Sequence, residues 1–165
     1  MDGQSGRFGA AFAAAALGAA SASAAAQSCD RGAAEAELRA RHQAVIGHHL
    51  SGDVEAWLAG ETDEVIVGFG GDVFVSARED RRARRADYLG RNVYSRYEDT
   101  VAPVVEIAGD CSIAWLIAAV AVAGEARRDD GSMEPFAFRS SWIELYKRID
   151  GEWKMVGNVS DVVPE

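Results

Sequence analysis

Between Ala33 and Leu50 the apolar residues recur every three or four positions, the spacing of an amphipathic helix. At 100° per residue, Leu38, His42, Val45 and His49 fall within about 60° of arc, with Ile46 beside them. The middle of this buried stripe therefore holds two histidines, while His48 points to one side. Ser51-Gly52 ends the helix. Asp53 is placed to cap a short second one, DVEAWLAG, which Gly60 stops. The period then changes to two. Glu64 to Phe69 and Val73 to Ser76 read as the strands of a hairpin around Gly70-Gly71-Asp72. Ser76-Ala77-Arg78-Glu79 spells a capping box for a polar helix running to about Asn92, with Ala83, Ala86 and Leu89 on its dry side. Tyr94 to Ile107 reads as a strand interrupted by Pro103. The run from Cys111 to Gly124 is apolar on both faces: Ile113, Trp115 and Ile117 on one, Leu116, Val120 and Val122 on the other. That pattern predicts a central strand covered on both sides.

The final stretch, Phe136 to Asp161, contains two strand-like runs about Asp150-Gly151. Asp-Gly suits a two-residue type I′ turn, because both central residues need positive φ. With that turn Tyr146 faces Met155, Lys147 faces Lys154, Leu145 faces Val156 on the other side, and Trp142 faces Val159. The predicted order is α-α-β-β-α-β-β-β-β. Helices clustered early and an antiparallel sheet later make an α+β fold.

The pattern W-x3-Y-K-R-x-D-G-x-W-x-x-V, Trp142 to Val156, resembles the closing hairpin of the SnoaL-like proteins. They belong to the nuclear-transport-factor-2-like superfamily, which also holds the ketosteroid isomerases. The resemblance spans about Ala33 to Asp161. It implies a curved antiparallel sheet wrapped around the N-terminal helices, a cystatin-like cone with an internal pocket. It does not imply one activity, since the superfamily includes isomerases, cyclases, dehydratases, binding proteins and assembly domains. The isomerases carry a tyrosine in helix 1, a carboxylate base on the first strand and a protonated acid deeper in the cone. Aligned on Gly52-Asp53, those first two places hold Val45 and either Gly68 or Phe69. The strand from Cys111 to Gly124 has no carboxylate, so that set is absent. Many SnoaL-like relatives also carry a histidine late in the last strand. Here that stretch is VGNVSD, without one.

The first 26 residues have the composition of a leader: Arg7, then the apolar run FGAAFAAAALGAA, then Ala24-Ala25-Ala26 before Gln27. The apolar run is too short to cross a membrane. Removing a leader over 1–26 leaves a short tail, 27–32, and one domain, 33–165, in the periplasm or outside the cell. Ala26 stands where a lipoprotein signal wants a bulky aliphatic residue, which argues against lipid anchoring at Cys29. The chain has a net charge of −9, a poor match for nucleic acid or anionic lipid. Cys29 and Cys111 are the two cysteines. In an oxidising compartment they pair and tie the N-terminus to the sheet; otherwise they are one exposed and one buried thiol.

Chemistry has few candidates. His42 and His49 suit a proton shuttle or ligand hydrogen bonds, or else are core histidines satisfied by neighbours. Neither has a carboxylate nearby in sequence on its own face. Asp161 is a base at the mouth of the cone or a solvated strand end. Trp57, Tyr88 and Asn158 complete the expected pocket lining. Arg78, Arg81, Arg82, Arg84 and Arg85 are either an anion site or, mixed with Glu79, Asp80 and Asp87, a solvated helix face, which such a mixture more often is. The four tryptophans either line an apolar pocket or, as their periodicity more often means, pack in the core. Seven residues separate His42 from His49, about 10 Å along a helix, so no metal site is expected. No phosphate loop or Gly-x-Ser-x-Gly elbow supports a nucleotide or hydrolase reading, and no cofactor is implied. The leading expectation is an exported homodimer, paired through the outer sheet face, that binds a small, largely apolar molecule. The alternatives are an isomerase or lyase using a helix-1 histidine, helped by Tyr88, Asn158 or Asp161, and a non-catalytic assembly module.

Overall fold

The computed structural model of the protein describes residues 29–165. The expected leader, residues 1–26, and its cleavage point before Gln27 lie outside the described residues. The elements run α1 Arg31–Ser51, α2 Val54–Ala59, β1 Glu61–Phe69, β2 Asp72–Ala77, α3 Arg78–Arg91, β3 Asn92–Asp99, β4 Val104–Ile107, β5 Ile113–Arg127, β6 Met133–Ile149 and β7 Glu152–Pro164. The tail expected over 27–32 is thus helical from Arg31. Asp30 starts α1 by accepting a bond from the Ala33 amide, and Gly52, with φ 71°, closes it in the left-handed conformation. Asp53 caps α2 in the same way, through the Ala56 amide.

The strands form one curved sheet in the order β2-β1-β7-β6-β5-β3, with β4 also paired to β5. Expectation and structure differ here in several respects. The sheet is mixed, because β1 lies parallel to β7 while all other pairs are antiparallel. The strand expected from Tyr94 to Ile107 is two, β3 and β4, separated around Pro103, which has no amide to give a ladder. The capping box does not form either. β2 runs directly into α3, whose N-cap is Ala77 without a side-chain bond. Ser76 stays in the strand, buried, and its hydroxyl accepts from Arg84.

The β6–β7 hairpin turns at Asp150 and Gly151, with φ of 51° and 85°, as a type I′ turn requires. Tyr146 faces Met155 and Lys147 faces Lys154, as expected from the turn. A bulge at Val156 then shifts the register, so Leu145 faces Gly157 and Trp142 faces Ser160, not Val159. A bulge inserts one residue and bends the strand. Because strand side chains alternate, it also exchanges the faces of everything beyond it. Asn158 and Ser160 consequently join the inner face, and Asp161 goes to the outer one.

The core lies between α1 and the inner face of the sheet. Ala34 and Leu38 meet Ala114, Leu116 and Ala118 of β5, with Val65, Tyr146, Trp153 and Met155. Cys29 is bonded to Cys111 with Cα atoms 5.4 Å apart, which fastens the start of α1 to the turn before β5. The helices cover only the inner face. Ile113, Trp115 and Ile117 remain exposed on the outer side of β5, so this strand is not covered on both sides as its composition suggested.

Candidate functional site

A cavity of about 300 Å³ opens between the helices and the inner face of the sheet. That is the small end of the range for small-molecule sites. Its sheet wall follows from the pairing. Glu144 faces Asn158, Trp142 faces Ser160, and Ser140 faces Val162 across β6 and β7, with Val65 and Val67 added from β1. Val45 and His49 of α1, Trp57 of α2 and Tyr97 of β3 form the opposite wall. Arg81, Arg84, Arg85 and Tyr88 close one side. These four stand at i, i+3, i+4 and i+7 of α3, which is one helix face.

His49 is buried among aromatic rings that are tilted against its own. Its centroid lies 4.1 Å from that of Trp57 and 4.4 Å from that of Tyr97. The Arg85 guanidinium lies 3.8 Å from the centroid of the Trp57 ring. Nδ1 of His49 donates to the Val45 carbonyl at 2.8 Å, which fixes the proton there. Burial lowers the imidazole to about 4, and the charge of Arg85 adds to the shift. The ring is therefore neutral near pH 7. Its Nε2 keeps a lone pair, towards which the Tyr97 hydroxyl donates at 3.4 Å.

Glu144 is the carboxyl of this cavity, 7% exposed and set between Trp142 and Tyr146 on the inner face of β6. Burial raises its pKa, partly offset by the Tyr146 hydroxyl, which donates to it at 2.7 Å. Burial likewise raises the Tyr97 and Tyr88 hydroxyls, keeping them as neutral donors. The cavity thus carries a carboxyl biased towards its acid form and an imidazole held as a free base.

The arginines are not a solvated face. Arg81, 3% exposed, donates from Nε to Glu61 at 2.8 Å, from Nη2 to the Thr62 carbonyl at 2.6 Å, and from Nη1 to the Ser76 carbonyl. Arg85 donates to both oxygens of the same Glu61, at 3.0 and 2.6 Å. The dry side of α3 is therefore Arg81, Arg85 and Leu89, while Ala83 and Ala86 are exposed. The buried Glu61 makes this arrangement stable, because it supplies the charge that lets guanidinium groups leave water.

The other sequence candidates divide. Trp57, Tyr88 and Asn158 line the cavity with His49. His42 is 1% exposed and lies outside the lining. Its Nε2 is 2.7 Å from Asp99 Oδ1 on β3, so the expectation that it lacked a carboxylate neighbour is corrected. That partner is 57 residues away, beyond any local pattern. His48 is half-buried and does not line the cavity. Asp161 is exposed on the outer face beyond the bulge, away from the cavity. Of the tryptophans, Trp153 is core, Trp57 and Trp142 line the cavity, and Trp115 is 37% exposed outside. Among the described residues, no three His, Cys, Asp or Glu side chains gather as metal ligands. Glu144 was missed by sequence reasoning, and the α3 arginines, weighed there as an anion site, were set aside for a solvated face. The signals were there: a glutamate two residues from large aromatics on either side, and basic residues at 81, 84 and 85 sharing a helix face with Tyr88.

No protein-family model matches this sequence, and no curated protein does. Solved structures do. A conserved protein from Planctomyces limnophilus superposes with a TM-score of 0.67 at 16% identity, covering 82% of this chain and 100% of that one. An NTF2-like protein from Cytophaga hutchinsonii gives 0.59 at 14% identity, covering 78% and 98%. A ketosteroid isomerase-like protein from Erwinia carotovora atroseptica gives 0.56 at 17% identity, covering 78% and 95%. At these identities the likeness establishes the fold, which is the nuclear-transport-factor-2-like α+β cone.

Proposed function

We propose that this chain is an exported domain that binds a small, largely apolar molecule in the cavity beneath α1 and α3, and that it works as a homodimer. One observation carries the reading: a cavity of about 300 Å³ whose walls are mainly Trp, Tyr, Val, Phe and Met, into which a few buried polar groups converge. The neutral imidazole of His49 and the carboxyl of Glu144 would orient the ligand by hydrogen bonds. Filling the space tests this. Val67→Trp projects into the cavity from β1. Isothermal titration should show an aromatic probe such as 2-naphthamide binding the wild-type protein and failing to bind the filled variant, with an unchanged circular-dichroism spectrum. Equal binding to both proteins would place the probe elsewhere and sink the reading.

A second reading, an isomerase or lyase working on an enolisable substrate, is favoured by the presence of His49 and Glu144 in the wall of one cavity. His49 Nε2 would take a proton from carbon, and the acid form of Glu144 would donate one to the substrate oxygen. A ketosteroid isomerase-like protein is among the neighbours in fold. If the pair is catalytic, His49→Gln lowers turnover by about 10²–10⁴ and largely keeps binding. If it only binds, the same change weakens affinity by about 1 kcal/mol.

A further inference from the structure

The charge on the α3 side of the cavity does not balance. Arg81, Arg84 and Arg85 all line it, and the ion pairs of Arg81 and Arg85 share a single carboxylate, Glu61. Arg81 is explained by structure alone: its donors are met by Glu61 and by the Thr62 and Ser76 carbonyls. Arg85 meets the same Glu61 and rests one flat face on Trp57. Two guanidinium groups therefore share one negative charge where their side chains are 3% and 14% exposed. Arg84, which is solvent-exposed, adds a third at the cavity rim. Its side-chain bond is from Nη2 to Ser76 Oγ, 2.7 Å, and among the described residues no carboxylate pairs with it. Three guanidinium groups stand against two carboxyls, Glu61 and the Glu144 of the cavity wall, so the cavity keeps an excess of at least one positive charge in a chain whose net charge is −9. A cation withdrawn from water without a counter-charge is unfavourable, and an incoming anion offsets that cost. Apart from the Glu144 carboxyl, the remaining cavity wall is apolar and aromatic or carries groups that hydrogen-bond without charge, such as His49, Ser140 and Asn158.

We infer that the ligand of this cavity is a small organic acid, whose carboxylate lies against Arg84 and Arg85 and whose apolar body fills the space towards Trp142 and Val67. The inference rests on the ligand-binding reading above and gives its ligand a chemical class. Guanidinium groups suit a carboxylate because their planar pairs of donors match its two oxygens. The surplus charge also argues against a purely hydrocarbon ligand, which would leave Arg84 and Arg85 as they are and gain nothing from them.

Two probes of one shape separate charge from shape: 2-naphthoate, an acid, and 2-naphthamide, its neutral counterpart. Isothermal titration of the full protein should show the acid binding at least about tenfold more tightly than the amide, the factor one charge-assisted hydrogen bond supplies. Arg84→Gln, at an exposed position, should remove that preference, so that acid and amide bind with similar affinity. Added potassium chloride should weaken the acid and not the amide. If the amide binds and is excluded by Val67→Trp while the acid binds no better, the cavity reading stands and the acid inference falls. The same holds if the acid keeps its advantage in both Arg84→Gln and Arg85→Gln, since the charge would then act from elsewhere. If neither probe binds, both readings fall.

Discussion

His49 shows how one residue's surroundings decide its chemistry. The Val45 carbonyl takes the Nδ1 proton, Trp57 and Tyr97 exclude water from the ring faces, and burial holds the imidazole at about 4 against an ordinary value of 6.5. Its effect on stability has a definite sign. Between pH 6.5 and 4 the unfolded chain binds a proton that the folded chain refuses, so stability falls as the solution becomes acidic. The contribution is complete above about 6.5 and is lost progressively towards 4, with a ceiling of about 3 kcal/mol. Glu144 acts in the opposite sense. Its raised pKa favours the folded state below the ordinary glutamate value, and that advantage fades as pH rises through the raised one. Urea unfolding across pH 4–7 should therefore show an acid-side slope that His49→Gln flattens. An unchanged slope would mean that the ring is not held neutral by the fold. The placing of His49 was legible in the sequence, because the helical arc put it beside Leu38 and Val45. Glu144 was not, although its neighbours at two residues' distance, Trp142 and Tyr146, are large aromatics. A glutamate on a strand reads as the solvent side until the register of the whole hairpin is known. The same limit hid Asp99 from His42, since only the fold brings α1 against β3.

Between elements, α3 is attached to β1 by buried charge. Arg81 and Arg85 meet Glu61 at the first residue of β1, and Arg81 also reaches the carbonyls of Thr62 and Ser76. Glu61→Gln removes the carboxylate and leaves two guanidinium groups facing each other out of water. A broken buried pair costs about 3–5 kcal/mol, so the variant should unfold at markedly lower urea. Glu55→Gln, which breaks the exposed pair with Arg82, should leave the urea midpoint almost unmoved. If the two variants behave alike, the Glu61 pairs are not the attachment proposed here. The sequence showed α3 itself through its length and polarity, yet not which side faces inward. Ala83 and Ala86 look like the dry side only if arginine is assumed to seek water. The β6–β7 hairpin has a similar lesson. Asp150-Gly151 fixes the turn and the first pairs beyond it, while the bulge at Val156 leaves no local signature. That one residue moves Asn158 into the cavity wall and Asp161 out of it, and so settles which of the two candidates lines the cavity.

The whole molecule has a fastened end and an uncovered face. The Cys29–Cys111 bond closes a loop of 82 residues of separation, for which loop-closure entropy alone allows up to about 4–5 kcal/mol. Reduction should lower the unfolding temperature, and Edman sequencing of the protein from its native cells should begin at Gln27; an intact Met1 in the cytoplasm would rule out export. The other feature is the outer face of the sheet. Ile113, Trp115 and Ile117 of β5, Leu145 of β6 and Val159 of β7 are exposed there, and pairing aligns Leu145 with Trp115 and Val159 with Ile143 and Ile117 in lateral rows. The two-sided apolar pattern of β5 was legible in the sequence, but not the side that the helices would take. With α1 and α3 on the inner face, the outer patch is the surface most in need of cover. A second copy would supply the same patch about a two-fold axis, the commonest symmetry of soluble oligomers. Trp115 lies among these rows and has the side chain most often dominant in such contacts. Sedimentation at tens of micromolar, where an interface of ordinary size of about 800 Å² per partner is formed, should therefore show a dimer. Trp115→Glu should give a monomer with the same circular-dichroism spectrum, because the substituted side chain faces away from the core. The cavity lies on the opposite face, so this monomer should still bind the naphthalene probes. A wild-type protein that sediments as a compact monomer, or a Trp115→Glu variant that remains dimeric, would show that this face is not where copies meet.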